Sequence, residues 1–337
     1  MLAVVKYGMQ SDQVELRDVP EPQIGPEDVL LEVRAAGVCG SDVEQWKHNI
    51  TYEVRVPYIM GHEFAGVIAQ VGEGAGDWRE GDEVVSETSA YICGHCPHCR
   101  AGAYNLCPER RGFGAHADGA FTRFVCVPAR VLHRKPPHVS WAAAALTEPA
   151  CVAYNAVVVK SDPRPGEPAV VVGPGPIGLF CLQVLRAVGA TPLVLVGTSA
   201  DAGRLELGRK LGAQAAVNVE EQDPVQVVLD LTGGYGAPLV VDAAGNSPAL
   251  QQSLAMVARD GQITKVGWAL SRSGSRSIRW WARRCGCRGA SVTPGGPGRR
   301  CWRCTLRAVW TPRRWSRTAW ASGSGAPRTR PQSDARP

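Results

Sequence analysis

The 337-residue sequence has no apolar run that approaches the ~20 residues needed to cross a bilayer. Its first residues also lack the apolar core of a secretory signal, because Lys6 interrupts a short apolar stretch that is typical of a first strand. These absences predict a cytoplasmic protein with no membrane partner. Structural disulfides are rare in that compartment, so the twelve cysteines need another explanation.

Lysine is absent from residues 271–337, and the only acid there is Asp334. The segment holds 16 Arg, a balance of +15, whereas residues 1–270 hold 21 Lys and Arg against 30 Asp and Glu, a balance of −9. It also holds six of the ten Trp and four of the twelve Cys. A basic aromatic tail would suit nucleic acid.

A GC-rich gene translated out of frame gives the same composition, and we favour that interpretation over a nucleic-acid partner. Back-translation of residues 280–289, shifted by two bases, gives an alternation typical of a strand. We therefore predict a frameshift near residues 268–280 and an aberrant basic tail over 271–337.

The chain is long enough for two domains. Residues 1–150 alternate short apolar runs with Gly and Pro turns, which predicts a β-rich domain. From about residue 151, the apolar runs AVVVG, PLVLVG, AAVNV, PLVVDAAG and QITKVG alternate with helical patterns. That alternation indicates βαβ units and an α/β fold with a parallel sheet. We place the two domains at residues 1–153 and 154–290.

A glycine-rich loop, AVVVGPGPIG, follows the first of these runs and opens a helix. Gly173, Gly175 and Gly178 form a G-x-G-x-x-G pattern, whose glycines permit a tight turn, approach to a pyrophosphate and close helix packing. Pro176 and Ile177 begin the helix, whose N-terminal amides would face the phosphates. The loop predicts a dinucleotide-binding site.

The ribose-binding end of that site is ambiguous in the sequence. The second strand ends near Thr198, where an NAD site would carry an acid, and Asp201 follows within reach of a ribose. Arg204 would instead tolerate the 2′-phosphate of NADP. NAD and NADP are both compatible with these residues.

Four cysteines lie within fifteen residues in the stretch CGHCPHCRAGAYNLC: Cys93, Cys96, Cys99 and Cys107. The spacing C-x2-C-x2-C-x7-C admits disulfides, a redox pair or a metal site. Four thiolates fill the tetrahedral shell of zinc and leave no open position, which is the pattern of a structural site. The expected compartment also favours metal over disulfides.

A second group of chemically active side chains comprises Cys39, His62, Glu63 and Glu148. A sulfur, an imidazole and a carboxylate are all suitable zinc ligands, although each of them alone is more often structural. Glycines surround the first three, and Glu148 precedes the change of domain, where a carboxylate would overhang a cleft.

These motifs together resemble the zinc-containing alcohol dehydrogenase family of the medium-chain dehydrogenase/reductase superfamily. GHEFAGVIAQVGEGA is similar to the family's zinc signature, and the cysteine lobe, GDEVV, GAFTRFVCVPA and the glycine loop follow in the family's order. TEPACVAYNA is similar to the sorbitol or L-iditol dehydrogenase branch. The resemblance covers about residues 1–268. It implies a GroES-like β-rich catalytic domain, and a Rossmann domain with a doubly wound parallel sheet.

The resemblance also implies roles for single residues. Cys39 and His62 would bind a catalytic zinc, with Glu63 as a direct or water-bridged partner and Glu148 able to approach the metal. The four-cysteine lobe would hold a structural zinc. Ser41 would relay the proton of the substrate alcohol toward solvent.

The implied activity is transfer of a hydride between a polyol or secondary alcohol and NAD(P)+. A threonine-type or simple alcohol dehydrogenase is an alternative. So is a catalytically dead zinc-binding protein, because in the family the chain's end returns to the catalytic domain and here it is altered. The resemblance further implies a homodimer or homotetramer, if the C-terminus permits.

Overall fold

The computed structural model describes residues 1–50, 52–267 and 288–289 of the chain. The basic tail at 271–337, its nucleic-acid alternative and the predicted frameshift lie outside these residues, apart from the pair at 288–289. They stay predictions.

Ten short strands make up the N-terminal part: β1 (Leu2–Lys6), β2 (Val14–Asp18), β3 (Asp28–Gly37), β4 (Tyr58–Ile59), β5 (Glu63–Val71), β6 (Glu83–Ser86), β7 (Ser89–Tyr91), β8 (Arg111–Gly112), β9 (Phe124–Pro128) and β10 (Leu132–Arg134). Five of them form an antiparallel sheet in the order β10-β6-β5-β3-β9. β2-β1-β4 and β7-β8 form two smaller sheets. The β-rich character predicted for residues 1–150 is therefore confirmed.

The five-stranded antiparallel sheet buries one face in the core of the N-terminal part and the other under helices. Val84 points into the core with Leu31 and Phe64, and the next residue, Val85, points to the opposite face. This alternation follows from the two-residue period of a strand. The helices of this part are α1 (Gly40–Trp46), α2 (Pro97–Arg100), α3 (Trp141–Ala145) and α4 (Thr147–Tyr154).

Six parallel strands form the second large sheet: β11 (Ala169–Val172), β12 (Leu193–Gly197), β13 (Ala215–Asn218), β14 (Ala237–Asp242), β15 (Val257–Lys265) and β16 (Arg288–Gly289). Their order is β13-β12-β11-β14-β15-β16, which places the first strand in the middle and confirms the doubly wound parallel sheet. The connecting helices are α5 (Pro176–Ala187), α6 (Ala202–Leu211), α7 (Pro224–Leu231) and α8 (Ser247–Met256).

Both faces of this sheet are covered, which explains its nearly continuous apolar strands. Val171 faces a core with Phe180 and Leu185 of α5, whereas its neighbour Val170 faces a second core with Met256 of α8. One strand therefore serves two cores.

Helix α4 connects the two parts, since it packs against β5 on one side and against α5 on the other. The predicted boundary after residue 153 falls just before Tyr154, the last residue of α4. That boundary stays a prediction. Within the described residues, no helix combines the length and apolarity needed to span a bilayer.

Candidate active site and metal centres

The first candidate centre arises from the pairing of β3 with β5. The two strands are antiparallel, and Gly37 at the end of β3 faces Glu63 at the start of β5. Cys39 lies two residues beyond this pair and His62 one residue before it, so both reach the same end of the sheet. The register of one strand pair thus joins residues that are more than twenty positions apart in the chain.

Cys39, His62 and Glu63 each offer a ligand atom, and these atoms all lie within 4.8 Å of one another. Glu63 is 3% exposed, and its buried Oε2 has no hydrogen-bond partner among the described residues. A Cβ at residue 37 would lie 2.3 Å from that oxygen, so glycine at this position leaves the Glu63 carboxylate free to lie where it does.

Asp42 orients this group from the first turn of α1. Its Oδ2 accepts the Cys39 amide at 2.8 Å, and its buried Oδ1 lies 3.4 Å from Nδ1 of His62. Burial disfavours a charged imidazole, yet Asp42 and Cys39 raise the pKa of His62 well above its ordinary value. Burial likewise opposes the Cys39 thiolate, but His62 and a hydrogen bond with the Ser41 side chain lower the pKa of this thiol.

Glu148 approaches the same group from the first turn of α4 and is 7% exposed. Burial, reinforced by the Glu63 carboxylate and opposed by His62, raises the pKa of Glu148 to about 7. Burial and the neighbouring Cys39 raise the pKa of Glu63 to about 8. Glu148 does not lie within the 4.8 Å group, which contains Glu63.

These residues fit a zinc ion. Sulfur, imidazole and carboxylate are the donors that zinc takes at catalytic sites, where three protein ligands leave a fourth position for substrate. Two buried carboxyls with raised pKa values and an unpartnered Glu63 Oε2 are unfavourable without a cation. A bound cation would remove that cost.

The second candidate centre is the cysteine lobe, residues 93–107. The four sulfurs of Cys93, Cys96, Cys99 and Cys107 all lie within 4.8 Å of one another, and all four cysteines are free thiols. Cys107 Sγ lies 3.6 Å and Cys99 Sγ 4.0 Å from Cys93 Sγ. Ligands about 2.3 Å from a tetrahedral zinc are about 3.8 Å apart, so the lobe fits zinc and is too open for a disulfide.

Local backbone geometry builds the lobe. The amides of Cys96 and Cys99 each donate to the preceding cysteine sulfur, Cys93 and Cys96, at 3.4 Å. Burial and hydrogen bonds with the neighbouring thiols raise the pKa of Cys99 to about 12, so this thiol resists ionisation without a cation. A metal that requires thiolates supplies the missing positive charge.

The glycine loop stands between β11 and α5, as the sequence predicts. A Cβ at Gly178 would lie 1.8 Å from the Gly173 carbonyl, so the fold itself requires glycine at residue 178. Gly175 is different, because its φ is −66° and a Cβ there would meet nothing within 4 Å. Glycine at this position keeps open space before the first-turn amides of α5, which begin at Ile177 because Pro176 has no N–H, and this fits the approach of a dinucleotide pyrophosphate.

At the end of β12, both carboxylate oxygens of Asp201 accept hydrogen bonds from nearby residues. Its Oδ2 accepts the Thr198 amide at 3.2 Å and the Thr198 hydroxyl at 2.9 Å. Its Oδ1 accepts Arg204 Nη1 at 3.1 Å. The predicted ribose-binding residues therefore lie together, with the acid and the arginine paired.

One feature near the metal residues was not predicted from the sequence. Gln45 is 2% exposed and accepts the Tyr58 hydroxyl at 2.5 Å, while its Nε2 donates to the Tyr52 hydroxyl oxygen at 3.0 Å. Gln45 belongs to α1, whose first turn carries Asp42, so this hydrogen-bonded chain lies on the helix that adjoins the first candidate centre. No spacing rule links these three polar side chains.

Comparisons with known proteins agree with this geometry. Residues 25–137 match the family described as alcohol dehydrogenase GroES-like domain, and residues 176–291 match zinc-binding dehydrogenase. The chain is 38% identical over 267 residues to a sorbitol dehydrogenase of Halalkalibacterium halodurans, covering 79% of this chain and 77% of that one. It is 36% identical over 267 residues to D-arabitol-phosphate dehydrogenase of Enterococcus avium, covering 79% and 75%.

The fold also matches a zinc-binding dehydrogenase of Sinorhizobium meliloti 1021 that was solved with NADP, with a TM-score of 0.81 and 26% identity over 92% of this chain and 90% of that one. Sequence, fold and site geometry agree. The chain belongs to the zinc-containing alcohol dehydrogenases of the medium-chain dehydrogenase/reductase superfamily, which are zinc-dependent, NAD(P)-linked oxidoreductases of polyols and other alcohols.

Proposed function

We propose that this chain oxidises a secondary hydroxyl of a polyol at the centre formed by Cys39, His62 and Glu63. The observation that carries the proposal is the meeting of these three donors within 4.8 Å, beside a buried carboxylate oxygen without a hydrogen-bond partner among the described residues. Cys39 and Glu63 supply negative charge to the metal, and Asp42 orients the imidazole of His62.

Two bound groups complete the chemistry. Zinc would supply Lewis-acid polarisation of the substrate hydroxyl. The nicotinamide ring of NAD(P)+ would accept the hydride, held through its pyrophosphate at Gly173–Gly178.

The chain's own residues manage the proton and the alignment. Ser41, half-buried and hydrogen-bonded to Cys39, takes the hydroxyl proton and passes it to solvent as the hydride leaves. We assign Glu63 as the third ligand, since it belongs to the 4.8 Å group. Glu148 then serves as an adjacent carboxylate that receives hydrogen bonds from the substrate.

The cysteine lobe holds a second, structural zinc in this proposal. Its sulfur separations of 3.6 and 4.0 Å support a closed tetrahedral shell. Cofactor choice rests on Thr198, Asp201 and Arg204: the ion pair with Asp201 restrains Arg204 from a 2′-phosphate, which favours NAD.

Assembly into a homodimer or homotetramer and a cytoplasmic location are further parts of the proposal. Exposed Tyr91 and Leu106 on or beside the cysteine lobe offer apolar surface for a subunit contact. Light scattering after size exclusion measures the assembly.

The central experiment measures zinc per chain and NAD(P)H absorbance with sorbitol, L-threonine and ethanol. We expect two zinc ions per chain and the highest kcat/KM with sorbitol. Highest kcat/KM with threonine or ethanol would contradict the polyol assignment. No NAD(P)H formation from any alcohol, in a chain that retains both metals, would indicate the catalytically dead alternative.

A further inference from the structure

His95 and Glu109 form a further group of donors on the outside of the cysteine lobe. A ring nitrogen of His95, a carboxylate oxygen of Glu109 and the sulfur of Cys93 all lie within 4.8 Å of one another. His95 and Glu109 are exposed, whereas Cys93 is half-buried. Cys93 therefore belongs to two groups at once, the four-sulfur group of the lobe and this mixed group at its surface.

The turn after Cys93 brings His95 back against its own loop. Gly94 has a φ of 77°, a left-handed conformation that glycine adopts readily. His95 Nδ1 lies 2.8 Å from the Cys93 carbonyl oxygen. Because a carbonyl only accepts hydrogen bonds, Nδ1 carries the proton and Nε2 of the neutral ring keeps its lone pair. Metal-binding histidines have this arrangement, with one nitrogen on the metal and the other donating to a carbonyl.

The carboxylate of Glu109 is available to a cation. Glu109 lies two residues beyond Cys107 and is exposed. The two arginines that follow it are directed at other groups, since Arg110 donates to two hydroxyl groups and Arg111 stacks over the Tyr91 ring at 5.0 Å. The negative charge of Glu109 therefore faces water beside the lobe.

The mixed group offers a zinc ion an open shell. One sulfur, one imidazole and one carboxylate are three suitable ligands, and water completes the fourth position. Donor atoms around a tetrahedral zinc are about 3.3–3.8 Å apart. The exposed side chains of His95 and Glu109 can reach these separations by rotation about their own bonds. A zinc ion held by three protein ligands and water remains exchangeable.

The four-sulfur group, in contrast, has no free position by which zinc could enter. Cys107 is only 6% exposed, and its sulfur also accepts the Cys93 amide at 3.4 Å. A hydrated zinc ion therefore meets another sulfur of the lobe before this buried one. Within the described residues, Cys93 is the lobe cysteine that also belongs to a second donor group, so it is the natural first sulfur.

We propose that Cys93, His95 and Glu109 form a transit site through which zinc ions enter and leave the cysteine lobe. The inference rests on the structural zinc proposed above and adds the path of the ion. Zinc binds first to these three side chains and then exchanges its bonds to His95 and Glu109 for bonds to the other three sulfurs. Each thiol that binds zinc releases one proton to solvent, so the transfer needs no oxidant or reductant.

Isotope exchange on the folded, zinc-loaded chain tests the proposal, because ions that enter and ions that leave share one path. Cys39→Ser, which should lack the zinc of the first candidate centre, serves as the background. The chain is incubated with an enriched stable zinc isotope, and mass spectrometry measures the label in the lobe. We expect His95→Ala and Glu109→Gln each to slow exchange about tenfold. Zinc content and Tm should stay unchanged, because neither side chain belongs to the four-sulfur group.

His98→Ala is the matched control, because His98 is an exposed histidine of the same lobe and belongs to no donor group among the described residues. Unchanged exchange in both test variants would overturn the proposal, and so would equal slowing by His98→Ala. Loss of the lobe zinc in His95→Ala would also overturn it, since His95 would then be a ligand of the structural ion.

NMR of the histidine rings gives a second measurement that does not depend on exchange rates. Zinc added beyond the amount that the loaded chain retains should shift the ring signals of His95 and leave those of His98 in place. Glu109→Gln should raise the zinc concentration needed for half of this shift about tenfold. Equal shifts of the two rings would contradict a site at His95.

Failure of this inference and failure of the proposed function give different results. A lobe that retains zinc, with exchange insensitive to His95 and Glu109, would remove the transit site and leave the structural zinc and the dehydrogenase. Exchange slowed by both variants, in a chain whose Cys39 form produces no NAD(P)H, would keep the transit site and remove the dehydrogenase.

Discussion

The cysteine lobe and the centre at Cys39, His62 and Glu63 are both clusters of metal-binding side chains, but the chain builds them in opposite ways. All four sulfurs of the lobe come from residues 93–107, and backbone amides within the lobe position them. The other centre depends on the register of β3 with β5, and Glu148 adds a carboxylate from α4. One centre is local and the other is tertiary.

The two centres also differ in whether they leave a metal-coordination position open for a substrate. The lobe offers four thiols and no unpartnered carboxylate, which suits a closed structural shell. The tertiary centre has a buried oxygen of Glu63 without a hydrogen-bond partner among the described residues, and a second carboxyl at Glu148. From this difference we expect stability to depend on the first centre and turnover on the second.

The largest expected effect comes from breaking the lobe. Cys107→Ser should release one zinc per chain and destabilise the fold by about 4 kcal/mol, because zinc binding to such a site contributes directly to folding. For a unit of this size the Tm should fall by about 10 °C, measured by calorimetry with metal analysis. Cys126→Ser is the control, since Cys126 belongs to no candidate metal group among the described residues. Unchanged zinc content in Cys107→Ser would refute a structural zinc here.

The matching change in the tertiary centre should separate activity from stability. Cys39→Ser should also release one zinc, yet lower kcat/KM about 10³-fold with a Tm shift of under about 3 °C, because transition-state stabilisation is lost and the lobe remains. Steady-state kinetics and calorimetry on the same preparation measure both. A fall in Tm as large as that of Cys107→Ser would abolish the contrast between the centres.

Paired carboxylate variants sharpen the assignment of the third ligand. Glu63→Gln should weaken zinc binding at the tertiary centre about 100-fold, whereas Glu148→Gln should retain zinc and lower kcat/KM about tenfold, because only Glu63 belongs to the 4.8 Å group. Competition with a chelator measures the zinc affinity. If Glu148→Gln loses zinc more readily than Glu63→Gln does, then Glu148 is the third ligand and Glu63 the adjacent carboxylate.

The smallest expected effect concerns the hydrogen-bonded chain beside the tertiary centre. Tyr58→Phe removes the donor to buried Gln45, which should cost about 1–2 kcal/mol of stability and raise KM a few-fold as Tyr52 loses its fixed orientation. Zinc content should not change. Tyr235→Phe, at an 83% exposed position, controls for the lost hydroxyl. An unchanged KM would show that Tyr52 does not contact the substrate.

Local patterns predicted much of the fold. Each of the five apolar runs from residue 169 onward forms a strand of the parallel sheet, and the helix pattern ending at Gly212 forms α6, with that glycine at φ 116° as its C-cap. These predictions are confirmed because periodicity and turn residues act over a few positions. The glycine loop was predicted for the same reason, since its strand, turn and helix are contiguous.

Other features of the site have no signature in the sequence. Arg110 stands in a basic stretch, and only the folded chain reveals that its partners are two hydroxyl groups. Gln45, Tyr52 and Tyr58 form one hydrogen-bonded chain, although their spacing follows no helical or strand period. Long-range hydrogen bonds depend on loop paths that residue types do not specify.

By itself the sequence determined the kinds of element, the parallel sheet, the glycine loop and the grouping of four cysteines, because neighbouring residues fix these through backbone geometry. Only the tertiary structure decided that Glu63 lies within the group of donors and Glu148 outside it, and that Arg110 donates to the hydroxyls of Ser89 and Thr88. Strand register and helix packing set these distances. Strand register and helix packing depend on how much apolar surface the whole chain buries. A short stretch of residues does not carry that information.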